Sequence, residues 1–244
     1  MIPMTRRSAL QLGLLFLAVP DAMARKATPA MAKSATPAMA KSATPAMAKS
    51  ATPAMAKSAT PAMAKSATPD WTFRLVDAAR GQIGVTTLYD PTYTRIPYPG
   101  GDVAQDRGVC TDVVIRAYRH AFRLDLQKLV HEDMLANLAA YPKAWGLKST
   151  DPNIDHRRVP NLAVFFERRG ASLAVSDDSA DYQPGDLVTQ MLPGNLTHIA
   201  IVSTNRSVEA PERPLVIHNI GQGAREEDTL FVFRRTGHFR FAPI

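Results

Sequence analysis

The sequence has one cysteine, Cys110, in 244 residues. A single thiol excludes an intramolecular disulfide framework and any cysteine-rich zinc or iron–sulfur module. Aromatic residues are only 7% of the chain, and they do not interleave with basic ones, so the stacking platform that binds single-stranded nucleic acid is missing. Long apolar runs are scarce too. The run from Leu10 to Val19 is too short to span a bilayer comfortably, and no second run reaches that length. Positive charge is present, +7 overall, but it is confined. Residues 1–69 hold nine Lys/Arg against one acid, Asp21, which leaves 20 Lys/Arg and 21 Asp/Glu for residues 70–244. That near balance excludes a strongly cationic nucleic-acid-binding domain.

What is present divides the chain into three parts. Arg6 and Arg7, an apolar core and Ala22-Met-Ala make residues 1–24 an export signal peptide, with cleavage expected after Ala24. Thr5-Arg-Arg-Ser-Ala-Leu resembles a twin-arginine motif, and an ordinary secretory signal is the alternative. Both place the mature protein in the periplasm or outside the cell, with no membrane-spanning segment after cleavage. Residues 25–69 are expected to be a disordered linker: 27–66 are five copies of Ala-Thr-Pro-Ala-Met-Ala-Lys-Ser. A proline in every octamer prevents a useful helix, and one Met per copy gives too little apolar surface to order the chain. About 40 such residues span roughly 35 Å as a coil.

Residues 70–244 read as one α+β domain, N-terminal helices packed on a C-terminal antiparallel sheet. Trp71–Ile83, Leu129–Tyr141 and Leu162–Arg169 have helical periodicity, and residues 86–108 read as a long loop. A helix opening at Cys110 carries Val113, Val114, Ala117, Tyr118 and Ala121 on one face and Asp112, Arg116, Arg119 and Arg123 on the other. Beyond Gly170, short β-branched or aromatic runs are predicted strands: 173–175, 186–191, 198–203, 215–219, 230–234 and 238–241.

Cys110 at a helix N-terminus is a candidate nucleophile, because the helix dipole and unpaired N–H groups favour thiolate. Such a nucleophile needs a base, oriented by a third group. His198 and His218, on successive predicted strands, are the candidates. Both would face a thiol on a helix packed across the sheet. A buried core residue is the plain alternative for Cys110.

The order of these features, including Pro184-Gly-Asp-Leu-Val and His198-Ile-Ala-Ile-Val, resembles the NlpC-type branch of papain-like cysteine hydrolases. Asp106-Arg-Gly-Val-Cys-Thr-Asp, Leu126-Gln-Lys-Leu-Val-His-Glu-Asp-Met, Asp151-Pro-Asn-Ile-Asp-His-Arg-Arg-Val-Pro-Asn and Val216-Ile-His-Asn-Ile-Gly resemble the bacterial family called domain of unknown function 1287. The NlpC resemblance implies a cysteine amidase or peptidase that hydrolyses an amide bond of peptidoglycan stem peptides. Cys110 would be nucleophile, His198 base and then acid, His218 its orienting partner, and Tyr98 a group near the oxyanion. It implies no metal or organic cofactor. Two features depart from the pattern: Val109-Cys-Thr-Asp replaces Asp-Cys-Ser-Gly, and the segment 124–170 is long, as a lid or substrate wall would be.

Other residues carry paired readings. Asp155-His156-Arg157-Arg158 suits a carboxylate clamp or a structural ion pair. Asp112 is assigned to stabilising its helix's first turn, with ligand or orienting roles as alternatives. His131-Glu-Asp reads as solvated or capping, and His238 as a sheet histidine and a fallback third residue. Two further functions compete with the hydrolase: a non-catalytic wall-binding module on a tether, and a zinc site built from Cys110 and the two histidines. The sequence does not fix the oligomeric state.

Overall fold

The computed structural model describes residues 69–146 and 148–243. The export signal and the whole octapeptide repeat lie outside the described residues, which belong to one contact unit, Pro61–Ile244. In chain order the elements are helix α1 (Asp70–Arg80), strands β1 (Leu88–Tyr89) and β2 (Arg107–Gly108), and helices α2 (Cys110–Phe122), α3 (Leu126–Asn137) and α4 (Val159–Arg168). Strands β3 (Ser172–Leu173), β4 (Leu187–Leu192), β5 (Leu196–Arg206), β6 (Pro214–Asn219), β7 (Ala224–Glu227) and β8 (Arg234–Phe239) follow. The last six form one antiparallel sheet in the order β3-β8-β4-β5-β6-β7. The architecture is α+β, helices first and sheet second.

The sheet has an apolar layer on each face. On the helix side Leu187, Ile199, Ile201, Ile217 and Phe239 pack with α1, α2 and α4 around Leu75, Val113, Leu162, Phe165 and Phe166. On the other side Val188, Ala200, Val202 and Val216 pack with Tyr182 and Leu230. Each fully buried large side chain of these layers contributes about 1.5–3 kcal/mol. Period-2 alternation therefore assigns every strand residue to one layer or the other.

Several elements differ from the sequence expectation. α1 ends at Arg80, and Ile83 lies in the turn after it; its buried face is Thr72, Leu75, Val76 and Ala79, while Phe73 points outward. α3 begins at Leu126, capped by Asp125, which accepts the Gln127 N–H. Residues 230–233 form a turn rather than a strand, and β7 lies at 224–227 instead.

The first two turns of α2 bury their polar side. Arg116 is fully buried, and its guanidinium donates to Asp102 (Nε–Oδ2 2.8 Å), to Thr86 Oγ1 and to the carbonyls of Val103, Ala104 and Arg107. The loop 86–108 is thereby tied over the helix by a cation each of whose three nitrogens has an acceptor. Asp112 is buried as well.

Candidate active site

The first turn of α2 is fixed by the segment just before it. β1 and β2 pair in parallel, with Tyr89 opposite Gly108, so Tyr89 stands beside the approach to Cys110. Only glycine fits at 108, because a Cβ there would lie 2.9 Å from Asp112 Oδ2. Asp112 folds back over that space. Its Oδ2 accepts the Val109 N–H at 2.7 Å, satisfying one orphan donor of the helix start. The same carboxylate takes both sides of the Arg157 fork, Nε to Oδ1 and Nη2 to Oδ2, each at 2.9 Å. Burial opposes the Arg157 charge, but the Asp112 hydrogen bond and charge outweigh it and hold its pKa up. Asp112 thus has the first-turn role expected of it. Arg157 is held in a buried ion pair, the structural one of its two readings.

Cys110 lies at the floor of a cleft of about 390 Å³. Burial pushes its thiol up to about 11. The main-chain N–H of Ile199 pulls the other way, the charge of Asp112 pushes further up, and the N–H groups of Thr111 and Cys110 itself oppose. Burial thus works against the thiolate that the helix terminus favours.

His198 and His218 meet, but not as expected. Ile199, Ile201 and Ile217 occupy the layer facing α2, so alternation puts His198 with Ala200 and Val202, and His218 with Val216, on the opposite layer. Cys110 belongs to the helix-side layer and reaches β5 at the N–H of the peptide that joins His198 to Ile199. The β5–β6 ladder starts at Ile201 and Ile217. Beyond it Asn219 turns its Nδ2 to the Gly108 carbonyl at 3.0 Å, tying the sheet to the start of α2. Among the described residues no hydrogen bond joins the sulfur to an imidazole.

The histidines form a relay with a residue the sequence reading missed. His198 Nε2 lies 2.8 Å from His218 Nδ1, and His218 Nε2 lies 2.9 Å from Glu227 Oε2. A carboxylate only accepts, so His218 donates from Nε2 and accepts at Nδ1. His198 then donates from Nε2 and keeps a lone pair on Nδ1; these tautomers are inferred from the network. Burial, then the neighbouring His218, pushes His198 down to about 3. Burial also lowers His218, against the pull of Glu227. Each imidazole nitrogen at their contact is used by the other, so the pair does not present the two open lone pairs that a Cys–His–His zinc site requires.

The cleft lining corrects the remaining expectations. Tyr98 is not there. Its half-exposed ring stands edge-on to His131, centroids 5.0 Å apart. Tyr89 lines the cleft instead, and burial, then Cys110 and Asp112, raise its hydroxyl pKa. His156 is buried outside the lining, pushed down to about 3 by burial and by Arg157. Arg158 does line the cleft, as do Trp145, Val159 and Pro160 from the segment 124–170, which supplies a wall. His131 is not solvated: it is buried, with Nδ1 3.5 Å from Asp155. His238 is a structural histidine, bonded to Asp186 at 2.8 Å and to the Ala174 carbonyl at 3.0 Å. It takes no part in the relay.

The comparisons with known proteins cover this whole site. A family model described as Domain of unknown function (DUF1287) matches residues 76–241. The Escherichia coli (strain K12) protein described as "Uncharacterized protein YijF" is 54% identical over 167 residues, covering 68% of this chain and 80% of the relative. Tyr89, Cys110, Asp112, Arg157, His198, His218 and Glu227 all fall inside the matched span. The chain belongs to the DUF1287 family.

Proposed function

We propose that the protein is an exported cysteine hydrolase of papain-like, NlpC-type architecture that cleaves an amide bond in peptidoglycan stem peptides. The observation that carries the reading is the His198–His218–Glu227 relay, ending one peptide unit from the contact between Cys110 and β5. Base, orienting group and buffering carboxylate are in the order that nucleophilic catalysis requires. Catalytic hydrogen bonds in ligand-free sites are often long and tighten when substrate binds. The step that brings Cys110 Sγ to His198 Nδ1 is assigned to substrate entry.

In that mechanism Cys110 Sγ attacks the amide carbonyl carbon while its proton passes to His198 Nδ1. Neutral thiol and neutral imidazole are the resting pair, so proton transfer and attack occur together. The imidazolium is steadied through His218 by Glu227. The oxyanion meets N–H groups at the start of α2 and the Tyr89 hydroxyl, each good donor being worth about 3–4 kcal/mol. His198 gives its proton to the leaving amine. It then takes one from water as the water oxygen attacks the thioester, releasing a carboxylate and the Cys110 thiol.

The runner-up is a wall-binding module without turnover, favoured by the protonated, unpaired thiol. Incubating murein sacculi with wild type and His198→Ala separates the two. The hydrolase releases soluble peptides, and His198→Ala binds the sacculi but loses at least about a hundredfold in release rate. A binding module pellets with sacculi in both forms and releases nothing from either.

A further inference from the structure

The cleft over Cys110 has an uneven charge pattern. No carboxylate is among its lining residues, and it holds two arginines. Arg157 is neutralised by Asp112. Arg158 makes no side-chain hydrogen bond or ion pair among the described residues. Its guanidinium lies over the Trp145 ring, 4.5 Å from the centroid. The two acids near enough to feel its charge are engaged elsewhere: Asp151 accepts from Asn153 and Tyr93, and Asp155 accepts the Asp151 N–H.

Stacking on an aromatic face uses the plane of a guanidinium and leaves its N–H edge open. The edge is the part that grips a carboxylate with two parallel hydrogen bonds. Trp145 holds this position at a backbone cost: its φ is 58°, a left-handed conformation unusual for a bulky side chain. Strain of that kind persists where surrounding structure enforces it, often at ligand clamps. Val109, Ile154, Val159 and Pro160 are apolar, and Tyr89 and Thr197 are polar but uncharged, so an anion entering here has Arg158 as its one uncommitted charged partner.

We propose that Arg158, shelved on Trp145, is the specificity determinant of the cleft and takes a free carboxylate of the substrate flanking the scissile amide. The substrate class is a peptide with an α-carboxylate or acidic side chain beside the bond that is cut. Peptides carrying an amide or a cation at that place are rejected. The inference rests on the hydrolase reading above for the word substrate, but the binding preference stands or falls without turnover.

The test uses full-length Cys110→Ala protein and that protein with Arg158→Gln added. Muropeptides released from sacculi by a muramidase are titrated into each, beside the same mixture with its carboxylates converted to amides. Cys110→Ala is expected to bind the carboxylate form at least about tenfold more tightly than the amidated form. Arg158→Gln removes that difference, and Arg158→Lys restores part of it. Equal binding of the two forms by Cys110→Ala, or no binding of either, overturns the proposal, as does a preference that survives Arg158→Gln. Unchanged far-ultraviolet circular dichroism and melting temperature verify that the variants fold. Release of soluble peptides from sacculi by wild type, measured alongside, judges the hydrolase reading separately.

Discussion

His198 Nε2 lies 2.8 Å from His218 Nδ1, and that bond leaves His198 Nδ1 as the one imidazole lone pair of the relay without a partner among the described residues. Glu227 fixes the direction of the whole chain through its 2.9 Å contact with His218 Nε2. Glu227→Gln keeps an acceptor for His218 but removes the charge that steadies an imidazolium. The expected outcome is a fall in kcat of about tenfold to a hundredfold with KM little changed, measured by release of stem-peptide fragments. An unchanged kcat contradicts the relay.

Buried neutral imidazoles make stability fall in mild acid. His156 and His198 are pushed down to about 3, and His218 is also lowered, whereas unfolded histidines titrate near 6.5. Between those limits the unfolded chain binds protons that the native state does not, so stability is full above about 6.5 and is lost as pH falls toward 3. The slope is about 1.4 kcal/mol per pH unit for each such group. Asp155, whose carboxyl burial raises, acts in the opposite sense only nearer the carboxylate range. Melting temperature is expected to drop steadily from pH 6.5 to 4.5, and less steeply in His156→Asn. A flat profile over that interval contradicts this account of the buried histidines.

Cys110 is expected to react slowly with iodoacetamide at neutral pH, since its thiol is pushed up to about 11 by burial. The alkylation rate rises about tenfold per pH unit between 8 and 10, following the thiolate fraction. A plateau reached below pH 8 would mean a preformed thiolate.

The Asp112–Arg157 pair is a structural joint between α2 and the turn before α4. Removing one member leaves the other charge buried and uncompensated, at a cost of about 3–5 kcal/mol. Arg157→Ala is therefore expected to lower the denaturant midpoint strongly. Arg158→Ala, one residue on, is expected to leave it within about 0.5 kcal/mol of wild type. Equal effects of the two substitutions contradict the assignment of one arginine to structure and the other to the cleft.

Much of the fold was legible from periodicity, because Cys110 to Phe122 and the strand runs after Gly170 carry strong local patterns. The site was only half legible. Alternation correctly grouped His198 with Ala200 and Val202, but a period of two does not tell which layer faces the helix. Arg116 was placed on the polar face, and its burial was not legible because its loop partners, Asp102 and Thr86, are joined to it only by tertiary packing. Tyr89 was hidden for a similar reason: its place depends on a two-residue parallel pairing with Gly108. Glu227 sits on a strand reading Ala-Arg-Glu-Glu, which lacks the β-branched and aromatic residues that announce strands. Leu230-Phe-Val-Phe has that composition yet forms a turn. There Leu230 is buried to cover the second apolar layer.

The most direct measurement follows soluble peptides released from murein sacculi by full-length wild type and by Cys110→Ala, identified by mass. Release by wild type alone is expected, the two fragments of each cleaved stem-peptide amide together being heavier than the parent by one water. Equal release by both proteins would remove Cys110 from the chemistry. No release by either, with both bound to sacculi, would contradict the hydrolase and leave a wall-binding protein.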